Sequence, residues 1–359
     1  MDLQKSSEHE IQEPMAAGLF QIELEVPAVL EETGAKGPAV SPLRESLRRL
    51  RRDKRAMTSV FVLGVVFFIS IVFPPIYEHV GQTFELHPAP GFVVSLPSTL
   101  YHSPDYQDAT RLINMPNGMH WLGTDDAGQD ILARLLKGWQ VSIFVAIAVE
   151  IQDILFGVFF GVLAGYFGGM VDTILARFTD LMFAFPGLLF VILVTAIFGQ
   201  PFQLQTEKIF GHGFAPYGRI VLAALVIGFI VWPQMARFMR GQTLQLKEQQ
   251  FIEAARTNGS SNFKIIRRHI LPNIASLVIV VSTLNMAATV VAEGALSLLG
   301  LGVQRPGSSL GLMIFQYSSY LQAFPFEIIW PILALVILVL SFSFIGDGLR
   351  DAFDPRSKD

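Results

Sequence analysis

The charge-free run AMTSVFVLGVVFFISIVFPPI, residues 56–76, constrains this chain more than any other feature. About 20 consecutive apolar residues cross the hydrocarbon of a bilayer as a helix. A backbone facing lipid can satisfy its N–H and C=O groups only internally, so such a run has to be helical. Five more runs follow, near 140–167, 174–199, 219–238, 274–297 and 328–346. Composition agrees, because 52% hydrophobic residues, 16% charged residues and 30 Phe do not suit an ordinary soluble domain. The predicted fold class is therefore an all-α integral membrane protein with six transmembrane helices.

The same composition removes several function classes. A formal net charge of -4 provides no broad basic field for nucleic acid. Zero cysteines exclude disulfides, thiolate metal sites and a cysteine nucleophile. No G-x-x-x-x-G-K-[ST] pattern occurs, so the chain has no phosphate-cradling loop of that type. No secretory signal pattern is visible, and residues 1–43 read as a mobile acidic tail with too little apolar surface to fold alone. Within it, Gly18–Val26 alternates apolar and polar residues and can order only against a partner.

Charge asymmetry orients the spans. Residues 44–55 hold Arg44, Arg48, Arg49, Arg51, Arg52, Lys54 and Arg55 just before the first span at 56–76, which predicts a cytoplasmic N-terminus. Six spans return the C-terminal segment 348–359 to the same side. The connection 246–273 is then cytoplasmic as well, and it carries Lys247, Arg256, Lys264, Arg267 and Arg268. The outer segment 77–138 has only Arg111, Arg134 and Lys137, and the remaining five helices form a core over 139–347. That outer segment is long for a connection and reads as a small folded cap or a docking surface. Its His87, His102, Asp105, Asp108, His120 and Asp125 have no standard metal-ligand spacing, so they read as solvated loop groups.

Residues 253–273, EAARTNGSSNFKIIRRHILPN, interrupt the hydrophobic pattern. Good helix formers run up to Asn258-Gly259, a stop signal. Ala255 and Gly259 lie four apart with Ala254 beside them, a small-residue face that suits close approach to a groove. Glu253 can interact with Arg256 or Thr257. SSNFKIIRRHI then opens on a Ser/Asn cap, and Leu271-Pro272 leads into the next span. Two readings remain open on these grounds. One is a joint that passes force from a soluble partner, and the other is an amphipathic helix resting on the membrane surface.

The spacing of Glu253, Ala254, Ala255, Gly259, Leu271 and Pro272 resembles the EAA signature of permease subunits of ABC importers. SPLRESLRRLRRDKRA with the first span is similar to the N-terminal region of the C-type permease of dipeptide and oligopeptide importers. HWLGTDDAGQDILARLLKG resembles that family's LGTDxxGRD element, with Gln129 where Arg is usual. EGALSLLGLGVQRPGSSLGLMI resembles its LSFLGLG-x-x-P-P element, with Arg305 at a usual Pro and Leu310 at a usual Trp. GYFGGMVDTILARFTDLMFAFP matches the turn into the third span, where Arg177 and Asp180 can pair and Pro186 should kink the helix, and GDGLRDAFDPR matches the C-terminal ending.

The resemblance implies the six-helix, type I permease architecture of ABC importers with a cytoplasmic EAA coupling loop. That loop, with Arg256 beside the motif residues, would dock on an ATPase. The implied partners are a second permease subunit in a heterodimer, two ATPase subunits or domains, an extracytoplasmic peptide-binding protein and the lipid bilayer, with no nucleic acid. The chain itself would be non-catalytic and hold no cofactor, ATP and Mg being bound by the ATPases. The implied location is the inner membrane of a prokaryote.

Three acids lie within the spans. Glu150 and Asp153 sit three apart, on one face of the second span. They either line the path, attracting an amino terminus or cationic side chain, or hydrogen-bond between helices; the packing reading is preferred because polar residues commonly join spans. Glu293, late in the fifth span, either pairs within a heterodimer or borders the outer gate. The alternative function is a proton-coupled secondary transporter relaying through these three acids. That class predicts an inverted repeat with paired broken helices, which is not visible.

Overall fold

Six helices are long and apolar enough to cross a membrane: Lys54–Tyr77, Ile131–Phe167, Gly187–Phe210, His212–Lys247, Asn262–Leu298 and Pro325–Phe353. They belong to a computed structural model that describes residues 48–80, 120–184 and 186–353. It also describes 86–89, 92–94 and positions 104, 105, 107, 113 and 115–117. The acidic tail, including Gly18–Val26, the end of the chain after 353, and most of the segment between the first two spans lie outside the described residues.

The helices are α1 (Lys54–Val80), α2 (Ile131–Gln152), α3 (Phe159–Phe167), α4 (Gly169–Phe183), α5 (Gly187–Phe210) and α6 (Gly218–Lys247). They continue with α7 (Gln250–Thr257), α8 (Asn262–Ile265), α9 (Leu271–Leu298), α10 (Leu310–Ser318) and α11 (Pro325–Phe353). A short antiparallel hairpin, β1 (Leu86–Ala89) with β2 (Phe92–Val94), lies between the first two spans. The second span is α2 and α3 joined without a break by a π-turn over Asp153–Val158. It starts at Ile131, inside the stretch assigned above to the outer segment, because Asp130 caps it by accepting from the Ala133 amide.

The run 174–199 is not one helix. Pro186 is extended, at φ -63 and ψ 105, and separates α4 from the third span. Proline has no N–H to continue the preceding helix and excludes the helical region for the residue before it, so the predicted kink becomes a full break. The fifth span differs in the opposite sense. Pro272 does not interrupt it, because the turn widens just before the proline: the Leu271 amide reaches back five residues to the Ile266 carbonyl. Asn273 Nδ2 donates to the His269 carbonyl at 2.5 Å, which supports a carbonyl at the widened turn. The rod therefore runs unbroken from Asn262 to Leu298.

A glycine seam joins the second span to the fourth. A Cβ at Gly157 would lie 3.1 Å from the Trp232 carbonyl, one at Gly161 2.5 Å from the Ala236 carbonyl, and one at Gly165 2.8 Å from the Arg240 carbonyl. Both partners of each contact step by four residues, so two helices approach backbone to backbone along two turns. The sixth span packs on the first and fifth, with Gly348 against Ala56 and Gly346 against Leu284. The irregular run 299–309 is partly packed within protein: Val303, Ser308 and Ser309 are buried, while Leu299 and Arg305 are exposed. Outward-facing Phe61 and Phe68, 71% and 63% exposed, are positioned to meet lipid tails.

Candidate functional site: the helix pair between the fourth and fifth spans

Sequence chemistry shapes α7 and its exit. After Asn258 the chain turns at Gly259, whose φ of +74 is a left-handed value that suits glycine. The Gly259 amide donates to the Arg256 carbonyl at 2.9 Å and the Ser260 amide to the Ala255 carbonyl at 3.0 Å, the paired bonds of a Schellman stop. Ser261 then caps α8, its Oγ accepting from the Lys264 amide at 3.4 Å. The expected stop and the expected cap are both present.

The pair stands on an apolar foot. Ile252, Ile265, Ile270 and Ile274 are buried with Val162, Tyr166, Met235 and Met239 from the second and fourth spans. Ala255 is half-buried and packs partly against this cluster, so part of the small-residue face lies against the chain's own core. The exposed side carries Glu253, Ala254, Gly259, Leu271 and Pro272, with Phe251 and Phe263 at 43% and 72% exposure. No side chain stands within 4 Å of a Cβ built at Gly259. The Glu253 carbonyl accepts from Thr257 Oγ1 at 3.0 Å. Arg256 turns to the Tyr166 ring, with its guanidinium carbon 5.4 Å from the centroid.

Tyr166 was not found from the sequence. It ends the second span just beyond the glycine seam, and its hydroxyl donates to Asn262 Oδ1 at 2.9 Å. It thus touches both helices of the pair. Beside it, α4 is bound to the fourth span by two ion pairs. Arg240 engages both oxygens of Asp172, its Nη2 at 2.7 Å from Oδ2, and Arg237 Nη2 lies 2.7 Å from Asp180 Oδ1. Asp180 is therefore paired across helices, and not with Arg177 in its own. The Arg240 hydrogen bonds hold the Asp172 carboxyl below the usual carboxylate range. A cleft of ≈ 300 Å³ remains between these elements, lined by Phe160, Leu175, Thr179, Asp180, Arg237 and Arg240.

The acids within the spans face other helices of the same chain. Asp153 Oδ2 accepts from Asn285 Nδ2 at 2.9 Å, linking the second span to the fifth. Glu150 is buried within electrostatic reach of Ser282, though neither carboxylate oxygen has a hydrogen bond of normal geometry. Glu293 is fully buried and accepts from Ser142 Oγ and Ser297 Oγ, both at 2.9 Å. It therefore binds the second span to the fifth within one chain, where the sequence reading had offered a heterodimer pair or a gate.

At the opposite end of the spans, His120 and Asp125 are buried and not solvated. His120 Nδ1 and the Tyr77 hydroxyl lie 2.7 and 3.0 Å from Asp130 Oδ2. Asp125 pairs with the buried Arg134, whose other nitrogen donates to Gln316 Oε1 at 2.6 Å. Gln129 Nε2 donates to the carbonyls of Pro104 and Pro306, at 2.8 and 3.2 Å, so it serves as a neutral donor where a cation was expected. Arg305 pairs next to it with Asp126 at 2.6 Å. Among the described residues there is no group of three or more His, Cys, Asp or Glu placed to hold a metal.

Comparison with known proteins places this geometry in a family. The family described as "Binding-protein-dependent transport system inner membrane component" matches residues 157–359, and the "N-terminal TM domain of oligopeptide transport permease C" matches residues 41–89. The oligopeptide transport system permease protein OppC of Haemophilus influenzae is 34% identical over 88% of this chain and 89% of its own. The dipeptide transport system permease protein DppC of Bacillus subtilis is 32% identical over 91% of this chain and 89% of its own. The glutathione transport system permease protein GsiD of Pectobacterium atrosepticum is 37% identical over 72% and 80%. Among solved structures, an inward facing conformation of the MetNI methionine ABC transporter matches with a TM-score of 0.48 at 19% identity, covering 62% of this chain and 97% of that one. The chain belongs to the family of inner membrane components of binding-protein-dependent transport systems, as a multi-pass permease subunit.

Proposed function

We propose that this chain forms one half of the translocation path of an ATP-driven peptide importer. Its α7–α8 pair receives the motion of a partner ATPase. One observation carries the reading: the pair projects Glu253, Ala254 and Gly259 outward while α8 continues without a break into the fifth span. A displacement at the exposed side is thus applied directly to a membrane helix. The partly buried Ile266 and the inward Ile252, Ile265 and Ile270 fix the pair to the protein, which does not suit a helix resting loosely on a lipid surface.

On this reading the basic segment 48–55 and the α7–α8 pair face the cytoplasm, as do both termini, and the membrane is the inner membrane of a prokaryote. A second permease subunit completes the path, two ATPase subunits or domains bind ATP and Mg, and an extracytoplasmic binding protein delivers the solute. The peptide substrate rests on the relatives named for oligopeptides and dipeptides. The comparisons give the proton-coupled alternative no support.

The test is uptake of tri-alanine by the importer assembled with its partner subunits in proteoliposomes. Glu253→Lys and Gly259→Leu should each lower ATP-driven uptake by at least about tenfold, the factor that follows from roughly 1.4 kcal/mol at a docking contact. Full ATP-driven uptake by both variants would remove the docking role.

A further inference from the structure

Among the described residues, Tyr166 is where polar contacts join the α7–α8 pair to the second span. The apolar foot holds the pair against the protein but gives its contacts no preferred direction, since dispersion and burial are non-directional. A hydrogen bond and a cation over a ring both have preferred geometry. Tyr166 supplies both, to different helices: its ring lies under Arg256 of α7, and its hydroxyl donates to Asn262 at the start of α8. Its ring is buried at 6% exposure, so it has little room to swing.

What lies behind Tyr166 is stiff. Gly165 precedes it and sits against the Arg240 carbonyl and Thr243, and the seam continues through Gly161 and Gly157. The second and fourth spans therefore meet at close range, with only the inner side-chain atoms of Met235, Met239 and Thr243 beside the facing backbone. Further along, Asp153–Asn285 and Glu293–Ser142 tie the second span to the fifth. Any displacement gripped at Tyr166 reaches the second and fourth spans together.

We infer that Tyr166 is a positioning residue of the coupling step: it clamps both helices of the α7–α8 pair to the second span, so that their motion moves the second and fourth spans as one body. The inference rests on the coupling role proposed above and adds a second point of entry beside the direct continuation into the fifth span.

The deciding quantity is uptake of tri-alanine per ATP hydrolysed, in the assembled importer in proteoliposomes. Damage to folding alone removes uptake and hydrolysis together and leaves this ratio unchanged. Tyr166→Leu, which loses both contacts, should lower the ratio by about tenfold or more while the ATPase partners still co-purify. Tyr166→Phe keeps the ring and should lower it by about two- to fivefold, as should Asn262→Ala. An unchanged ratio in Tyr166→Leu overturns the inference, and so does loss of the ATPase partners from that variant, which would make Tyr166 part of docking. Should the Tyr166→Leu chain itself fail to accumulate in the membrane, a wild-type ratio in both Tyr166→Phe and Asn262→Ala overturns it. Glu253→Lys, run in parallel, separates the two claims. Its failure to reduce uptake removes the coupling reading itself, whereas its success beside an unaffected Tyr166→Leu removes only the clamp.

Discussion

Arg134 is among the largest fully buried side chains of the described residues, and it has Asp125 as its ion-pair partner and Gln316 as a further acceptor. Breaking a buried pair from one side leaves the other charge uncompensated, at a cost of about 3–5 kcal/mol. Arg134→Met should therefore abolish the monodisperse peak in size-exclusion chromatography in detergent. Glu293 presents the milder case, since one serine hydroxyl can still donate to an amide oxygen while the other can turn to accept from the amide NH2. Glu293→Gln should stay within about 1 kcal/mol of the parent, whereas Glu293→Ala should lose roughly 1–3 kcal/mol, read as a fall in thermal midpoint. Glu150 and Asp153 face the fifth span and are nearly excluded from the surface, which supports helix packing over lining a path. On that basis Glu150→Gln and Asp153→Asn should affect cationic and neutral peptides alike. Selective loss of cationic peptide uptake would instead place the acids on the path.

At the scale of elements, the glycine seam sets the distance between the second and fourth spans. Alanine is the better helix former, yet a methyl at Gly161 would stand 2.5 Å from the Ala236 carbonyl. Gly161→Ala should accordingly destabilise by about 1–3 kcal/mol, measured as lower thermal stability in detergent, against the direction of helix propensity. The lash on α4 has a defined pH dependence. Arg240 holds the Asp172 carboxyl below its unfolded value, so the stabilisation is present above that value and lost as pH falls through the lower, folded one. Hydrogen exchange of residues 169–183, corrected for intrinsic rates, should be the same across about pH 6–8 and accelerate only below about pH 4. Asp172→Asn should show the faster exchange already at about pH 6–8, the difference from the parent closing as pH falls through the folded value. These features differ in how far they could be read from the chain. Gly157, Gly161 and Gly165 repeat every four residues in plain sight. The partners Arg237 and Arg240 lie on a helix about 60 residues away, so nothing local joins them to Asp180 and Asp172.

For the whole molecule, hydrophobic length alone is enough to specify six membrane helices, because lipid forbids unsatisfied backbone and leaves no other regular solution for so many apolar runs. The stop at Gly259 and the cap at Ser261 were likewise legible, since both depend on residues within a few positions of the turn. Which side of each helix meets protein was not, because an almost uniformly apolar helix carries little record of its inner face. That choice was made by packing. It turned Ala255 inward toward Ile252 and left Ala254 out, drew His120 and Asp125 into a buried network, and gave Glu293 its partners inside the chain. Proline was also decided in three dimensions. Pro186 ends a helix while Pro272 is absorbed by a widened turn, although each lies near a membrane-helix start. By itself the sequence determined the number and order of the spans and the local shape of the helix pair, through length, solvent and short-range hydrogen bonding. Only the tertiary structure decided that Tyr166 joins that pair to the second span, because Arg256 and Asn262 reach it from roughly 90 residues away and no local rule relates them.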